Sequence, residues 1–322
     1  MASASGPQER LGRWISAEIR QPIQAPAAAL VEAIVNRHGR AVAAVLFYGS
    51  CMRRPDPLAD EDPVFDFYVV VDRYRDIYRN PVLALANWIL PPNVFYLRSP
   101  WHGRMLRTKY AVVSARQLLR HVGPLGFHPY FWARFSQPTR LAYCRDEEAR
   151  IFVVGTLRRA SETVVQRAVG LLPERFTSRT LWTTVYRETY RTELRAEGSD
   201  RATTVYESDP ARFDAFARDI LIRLGVQVDF GSANPEFVQT PSRSLSGMTA
   251  AAWGMRRIVG KILSLLRLIK CAFTFEDGTE YILWKIERHS GVKAERSPWE
   301  CRHPVLSVPA IAWRLYRQGA FR

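Results

Sequence analysis

Apolar and polar positions along the chain change character near residue 145. Before it, short apolar runs alternate with helical periods; after it, helical periods dominate. Residues 1–25, rich in Ala, Ser, Pro and Gln, read as a flexible arm. Over 26–37, Ala29, Leu30, Ala33 and Ile34 share one helical face. The apolar run 41–48 predicts a strand and ends at Gly49-Ser50. A polar, Pro-rich loop leads to a second strand-like run, 64–71, which carries Asp66 inside it. Residues 77–89 have a helical period that Pro91-Pro92 stops. Runs 94–97 and 105–113 predict strands joined by a turn at Trp101-His102-Gly103. Ser114 suits the N-cap of a short helix over 115–121, 122–138 reads as a Gly-, Pro- and aromatic-rich loop, and 140–143 as an edge strand. Helices mixed with at least four strands predict a domain around one sheet over 26–145.

From 146 to 172 the pattern is one long amphipathic helix or a broken pair. Asp146, Glu147 and Glu148 stand where acids favour a helix start. Thr177 or Ser178 caps a second helix to about 194, and Asp209-Pro210 opens a third to about 224, with Pro at its first position. No strand is expected in this block, 146–240 reads as a helical domain, and 225–246 as loop. The remainder, 241–322, holds a helix with two halves. At ~100° per residue, Arg256, Arg257, Gly260, Lys261, Ser264 and Arg267 fall on one half. Ile258, Val259, Ile262, Leu263, Leu265, Leu266 and Ile269 fall on the other. The fold class predicted is α+β: a mixed-sheet domain, a helical domain, and a basic amphipathic C-terminal region.

Composition adds constraints. With 47% hydrophobic residues the 322-residue chain can bury a core. No apolar run approaches the ~18 to 20 residues that span a bilayer, and no secretory signal is expected at the N-terminus. The four cysteines have no paired spacing and are expected to be small buried residues of a protein in a reducing cytosol. The six histidines show no metal spacing. A formal net charge of +15 calls for an anionic partner. Arginine supplies almost all of it, with only five lysines and none before Lys109. Such a skew fits a GC-rich genome, so charge alone is weak ground for nucleic-acid binding.

Three features carry candidate chemistry. Gly49 lets backbone approach a ligand without a Cβ, and the following N–H groups and the Ser50 hydroxyl can meet phosphate oxygens; an ordinary turn would look the same. Asp66, amid Val64, Phe65, Phe67, Tyr68 and Val69–Val71, is expensive to bury alone. It would either pair with an arginine or hold Mg²⁺ against a triphosphate, and the second is the expectation. Lys109, an unusual lysine within a strand-like run, would either oppose a phosphate or be a solvated edge residue.

Tyr48-Gly49-Ser50 followed by Phe65-Asp66-Phe67 and Asp72 resembles the nucleotidyltransferase superfamily. More narrowly, the chain resembles the mitochondrial-type CDP-diacylglycerol synthases, the translocator assembly and maintenance family of phosphatidate cytidylyltransferases. Further stretches match in order: Gly103-Arg104, Lys109-Tyr110 and the run to Ser114; Trp132 to Pro138 with Arg134; Leu171-Leu172-Pro173-Glu174-Arg175-Phe176; and Tyr190 to Arg195. The match covers about residues 40 to 270.

The resemblance implies a nucleotidyltransferase-like sheet domain and a CTP- and Mg²⁺-dependent reaction of phosphatidic acid, giving CDP-diacylglycerol and pyrophosphate. By that carry-over Tyr48, Gly49 and Ser50 bind nucleotide, Asp66 binds metal, and Lys109 offsets phosphate charge. Glu193 and Arg195 enter from the helical domain, and Arg134 meets the lipid phosphate. Cys51, Ala111 and Glu193 depart from the family's usual Gly, Gly and Asp.

The broad superfamily shows a second acid two residues after the first, but position 68 is tyrosine. Asp72 is six residues from Asp66, roughly 20 Å along an extended strand. A hydroxyl nucleophile needs an acid to deprotonate it. A phosphate monoester does not, because with a second pKa of ~6 it is largely dianionic at neutral pH. The thin acid set therefore suits a phosphate attacking the α-phosphorus of CTP.

A membrane substrate without a spanning helix calls for peripheral attachment, at the inner face of the cell membrane. Residues 255–270, with basic side chains each contributing on the order of 1 kcal/mol near anionic lipid, are the expected contact; packing on the protein's own core is the alternative. Two other functions stay open at this point. One is nucleotidyl transfer to another phosphorylated acceptor or RNA. The other is nucleic-acid binding through charge, although no nucleic-acid partner is expected.

Overall fold

The computed structural model describes residues 6–59, 63–193, 200–229, 236–240 and 243–274. Helices α1 (Pro7–Ile19) and α2 (Ala25–His38) lead into β1 (Val42–Tyr48), α3 (Ser50–Arg53) and β2 (Val64–Val71). Next come α4 (Tyr74–Ile77), α5 (Pro81–Ile89), β3 (Asn93–Trp101), β4 (Arg104–Ser114), α6 (Ala115–Val122), α7 (Trp132–Phe135) and β5 (Arg140–Cys144). The second part holds α8 (Glu147–Ala168), β6 (Arg175–Thr177), α9 (Ser178–Tyr190), α10 (Asp200–Glu207), α11 (Pro210–Arg223), β7 (Gln227–Asp229), β8 (Glu236–Val238) and α12 (Arg243–Thr274).

The first five strands form one mixed sheet in the order β3-β4-β2-β1-β5, with β5 at an edge as expected. Only β2 and β4 run parallel; the other pairs are antiparallel. Period-2 alternation sends Phe65, Phe67, Val69 and Val71 of β2 into the core beneath α2. It sends Tyr68 and Val70 into the other core, built with α1, α6, α7, α8, α9 and α11. Asp66 shares the face of Tyr68 and Val70, so an acid inside an apolar strand ends up looking toward the helices. The fold is α+β, a mixed sheet followed by a mainly helical region.

The expected helix starts are capped. Ser114, Asp146, Thr177 and Asp209 accept from the backbone N–H groups of Gln117, Ala149, Thr180 and Arg212. No described helix is long and apolar enough to cross a membrane.

Five expectations are corrected, besides the short helices α3 and α7, which fall in stretches read as loop. Residues 7–19 are not arm but α1, whose stripe Leu11, Ile15 and Ile19 is buried against the helical core. The period over 77–89 is broken: α4 ends at Ile77, and Asn80 caps α5 by accepting from the Val82 N–H. The helical block contains a small antiparallel sheet, β6-β8-β7, each strand three residues long and too short to show a period. It also contains α10, for which no helix was expected.

The fifth correction concerns α12, which is turned the opposite way from a lipid-facing basic helix. Most of its basic half meets the protein, and Lys261 is exposed. Arg256 is 2% exposed and donates to the Phe127 carbonyl. Arg257 pairs with Glu188. Arg267 lies 4.1 Å from the centre of the Tyr130 ring and donates to the Pro91 carbonyl. Lys270, near the border of the two halves, donates to the Leu90 and Pro92 carbonyls. Gly260 permits the close seat, since a Cβ there would lie 2.5 Å from the Thr192 carbonyl oxygen. The physical reason is that this side of the body offers acceptors and ring faces, which suit guanidinium groups better than aliphatic ones.

Candidate active site

The site is built on one row of the sheet. Tyr48 on β1 is in register with Asp66 on β2, and Asp66 with Lys109 on β4. Lys109 Nζ stands 3.2 Å from Asp66 Oδ1, both side chains part-exposed. Asp66 does have a cationic partner, but that partner is Lys109 and not an arginine.

β1 ends at Gly49, whose φ of 93° belongs to the region L side chains avoid. A Cβ at Gly49 would sit 2.9 Å from Asp66 Oδ2, so glycine is required both by the turn and by the carboxylate beside it. Gly49→Ala is expected to leave the secondary structure intact and lower stability by about 1–2 kcal/mol. Thermal melts check this; an unchanged midpoint would show that the turn tolerates a Cβ beside Asp66.

A cleft opens over this row, lined by Gly49, Ser50, Arg53, Asp66, Arg134 and Glu193 among others, with about 550 Å³ of space that continues into solvent. Its far wall comes from the helical region: Thr189 and Tyr190 at the end of α9, Glu193, and Arg201 on α10. Arg134, on α7, lies 5.0 Å from the centre of the Tyr48 ring. Burial disfavours its charge, but Tyr48, Tyr68, Glu193 and Tyr130 more than offset this, and its pKa is raised. Burial pulls the Arg53 guanidinium down; Arg201 and Arg134 pull it further, while Tyr190 and Asp66 oppose them. Three arginines and a lysine therefore converge on two carboxylates.

Among the residues singled out in the sequence, Gly49, Ser50, Asp66, Arg134 and Glu193 line the cleft, and Tyr48 and Lys109 flank it. Arg195 lies outside the described residues. Asp72 is remote, as the spacing required: it pairs with Arg145 at 2.7 Å. Tyr68 is core rather than a replacement ligand, packed on Tyr48 and Phe135, and burial pushes its phenol well above the ordinary range. Cys51 is a buried core residue whose thiol donates to the Val64 carbonyl, with its pKa raised first by burial and then by Asp66.

Sequence reasoning missed Arg53, Tyr190 and Arg201 as parts of the site. Arg53 had a usable signal, since it stands one turn after Ser50. Arg201 had none without α10.

Among the described residues no group of three or more His, Cys, Asp and Glu could hold a metal alone. Asp66 and Glu193 both line the cleft, and Mg²⁺ is commonly held by one or two carboxylates with substrate phosphates and water completing its shell. Asp66 and Glu193 would hold it, with the Ser50 hydroxyl alongside.

No protein-family model matches the chain, and no curated protein does. Among solved structures, a nucleotidyltransferase-like protein from Exiguobacterium sibiricum 255-15 is similar over 92% of each chain, at 10% identity and a TM-score of 0.25, a level of likeness that bears on neither fold nor activity.

Proposed function

We propose that the protein is a nucleotidyltransferase that joins CTP to a phosphate monoester, with phosphatidic acid as the acceptor. The observation that carries the reaction class is the meeting of Asp66 and Glu193 with Lys109, Arg53, Arg134 and Arg201 around one cleft. Paired carboxylates for a divalent ion and several fixed cations match the charge of a triphosphate. The choice of CTP and phosphatidic acid rests on the ordered motifs from Tyr48 to Arg195.

In this reading Mg²⁺, when bound, neutralises charge on the phosphates. Gly49 and Ser50 receive the triphosphate, and Lys109 leaves Asp66 to meet a phosphate oxygen. Arg134, fixed against Tyr48, holds the acceptor phosphate. The acceptor oxygen forms a bond to the α-phosphorus as the bond to the bridging oxygen breaks, and pyrophosphate departs with the electron pair. A dianionic acceptor has no proton to lose, which agrees with a site that places Tyr68, not an acid, two residues after Asp66. Catalysis is then positioning and charge stabilisation.

The test supplies CTP or ATP, Mg²⁺, and vesicles containing phosphatidic acid. Pyrophosphate is expected with CTP and not with ATP. No release, or equal release with a soluble sugar phosphate or RNA 3′-phosphate, overturns the assignment of acceptor.

A further inference from the structure

Among the described residues, nothing covers the apolar half of α12. Met255, Ile258, Ile262, Leu265 and Leu266 are exposed, with Ile258 at 60% and Leu265 at 50%. Their spacing is that of a single helical stripe. Alongside, Arg267 and Lys270 tie α12 to the Leu90–Pro92 segment that ends α5. The outward residues of α5 are apolar too, with Trp88 at 62% and Ile89 at 65% exposed. α6 adjoins through Gln117, which donates to the Trp88 carbonyl, and it exposes Leu119. The loop held by Arg256 exposes Leu125 and Phe127. One side of the molecule thus carries apolar side chains from four neighbouring elements, more than a monomer in water normally leaves open.

Charge selects the occupant. Residues 77–145 contain ten Lys and Arg and no Asp or Glu, and residues 237–275 contain six Lys and Arg and again no acid. Those two acid-free stretches supply every element of this face. The segment 275–322 has eight Lys and Arg against six Asp and Glu, so it brings no net negative charge to meet the face. A second copy would bring a like-charged surface. An anionic lipid surface offers both an apolar interior and a negative border.

We infer that this face seats the protein on an anionic membrane, with Trp88, Ile89, Ile262 and Leu265 entering the lipid and the surrounding arginines meeting headgroups. The arrangement differs from a helix held by its basic half, because the α12 cations chiefly fasten the helix to the body and its aliphatic half does the binding. The seat also adjoins the cleft: Gly260 packs on Thr192, next to Glu193, and Arg267 covers Tyr130, a residue of the cleft wall.

Flotation with phosphatidylcholine vesicles, with and without phosphatidylglycerol, tests this without nucleotide, Mg²⁺ or phosphatidic acid. It therefore does not depend on the proposed reaction, and Asp66→Asn should float as the unaltered protein does. Binding is expected only when phosphatidylglycerol is present, and it should survive in part at about 1 M salt, where surface charge is screened. Trp88→Glu with Ile89→Glu, and separately Ile262→Glu with Leu265→Glu, should each weaken it by about tenfold or more while leaving the urea midpoint unchanged. Absence of flotation, or undiminished flotation by both double variants, overturns the inference. So does a concentration-dependent dimer that the variants abolish, which would assign the face to a second copy. A urea midpoint lowered in both variants would assign it to the chain itself.

Discussion

In the proposed reaction, Asp66→Asn is expected to cut pyrophosphate release on the order of 10²–10³-fold while the protein remains folded and nucleotide affinity is kept. Asparagine has nearly the shape of aspartate, and the Asp66 side chain is part-exposed at the mouth of the cleft, so packing on Tyr48 and Gly49 is kept. What changes is charge. Lys109 loses its partner at 3.2 Å, and one of the two carboxylates on the cleft is gone. The cleft becomes more positive, so affinity for a triphosphate should hold or rise, whereas metal-assisted stabilisation of the transition state is lost. The signature is a fall in kcat on the order of 10²–10³-fold with KM unchanged or lower, the pattern of an interaction made chiefly in the transition state. Isothermal titration with CTP, with and without Mg²⁺, separates the two effects. Turnover within a few-fold of the unaltered protein would remove Asp66 from the chemistry.

The sheet half of the site was legible because strand periodicity is local. An acid within β2 must take a side, and the alternation that buries Phe65 and Phe67 under α2 turns Asp66 the other way. Lys109 stood out by composition, and the sheet then put it in register with Asp66. The helical half was less legible, since Arg53 and Arg201 gain meaning only when the sheet and α10 close one cleft. The orientation of α12 could not be read at all. Amphipathic spacing defines two halves of a helix but not which half meets the protein. That choice depends on Glu188 and on the Phe127 and Pro91 carbonyls, which lie 69, 129 and 176 residues from their partners. The polar composition of the first 25 residues likewise concealed α1, whose narrow stripe of Leu11, Ile15 and Ile19 is enough once a groove exists to receive it.

Removing the Glu18 carboxylate is expected to cause the largest loss of stability. Glu18 and Arg212 are both buried, 7% and 2% exposed, and they pair across 194 residues of sequence. Glu18 also accepts from the Thr139 N–H at 2.9 Å, and Arg212 donates to the Ser136 carbonyl at 3.0 Å. The guanidinium lies 4.2 Å from the centre of the Phe216 ring. One ion pair thus fastens α1 to α11 and to the segment just after Arg134. Glu18→Ala leaves a buried guanidinium uncompensated, and urea unfolding should show a loss of about 3–5 kcal/mol. A loss below about 1 kcal/mol, as at a surface pair, would mean that water reaches Arg212 and that the clamp is not structural. Replacing both partners, Glu18→Leu with Arg212→Met, removes the charges together and should recover much of the stability. Recovery should still fall short by about 1–3 kcal/mol, because the Thr139 N–H and the Ser136 carbonyl then have no partner in the core.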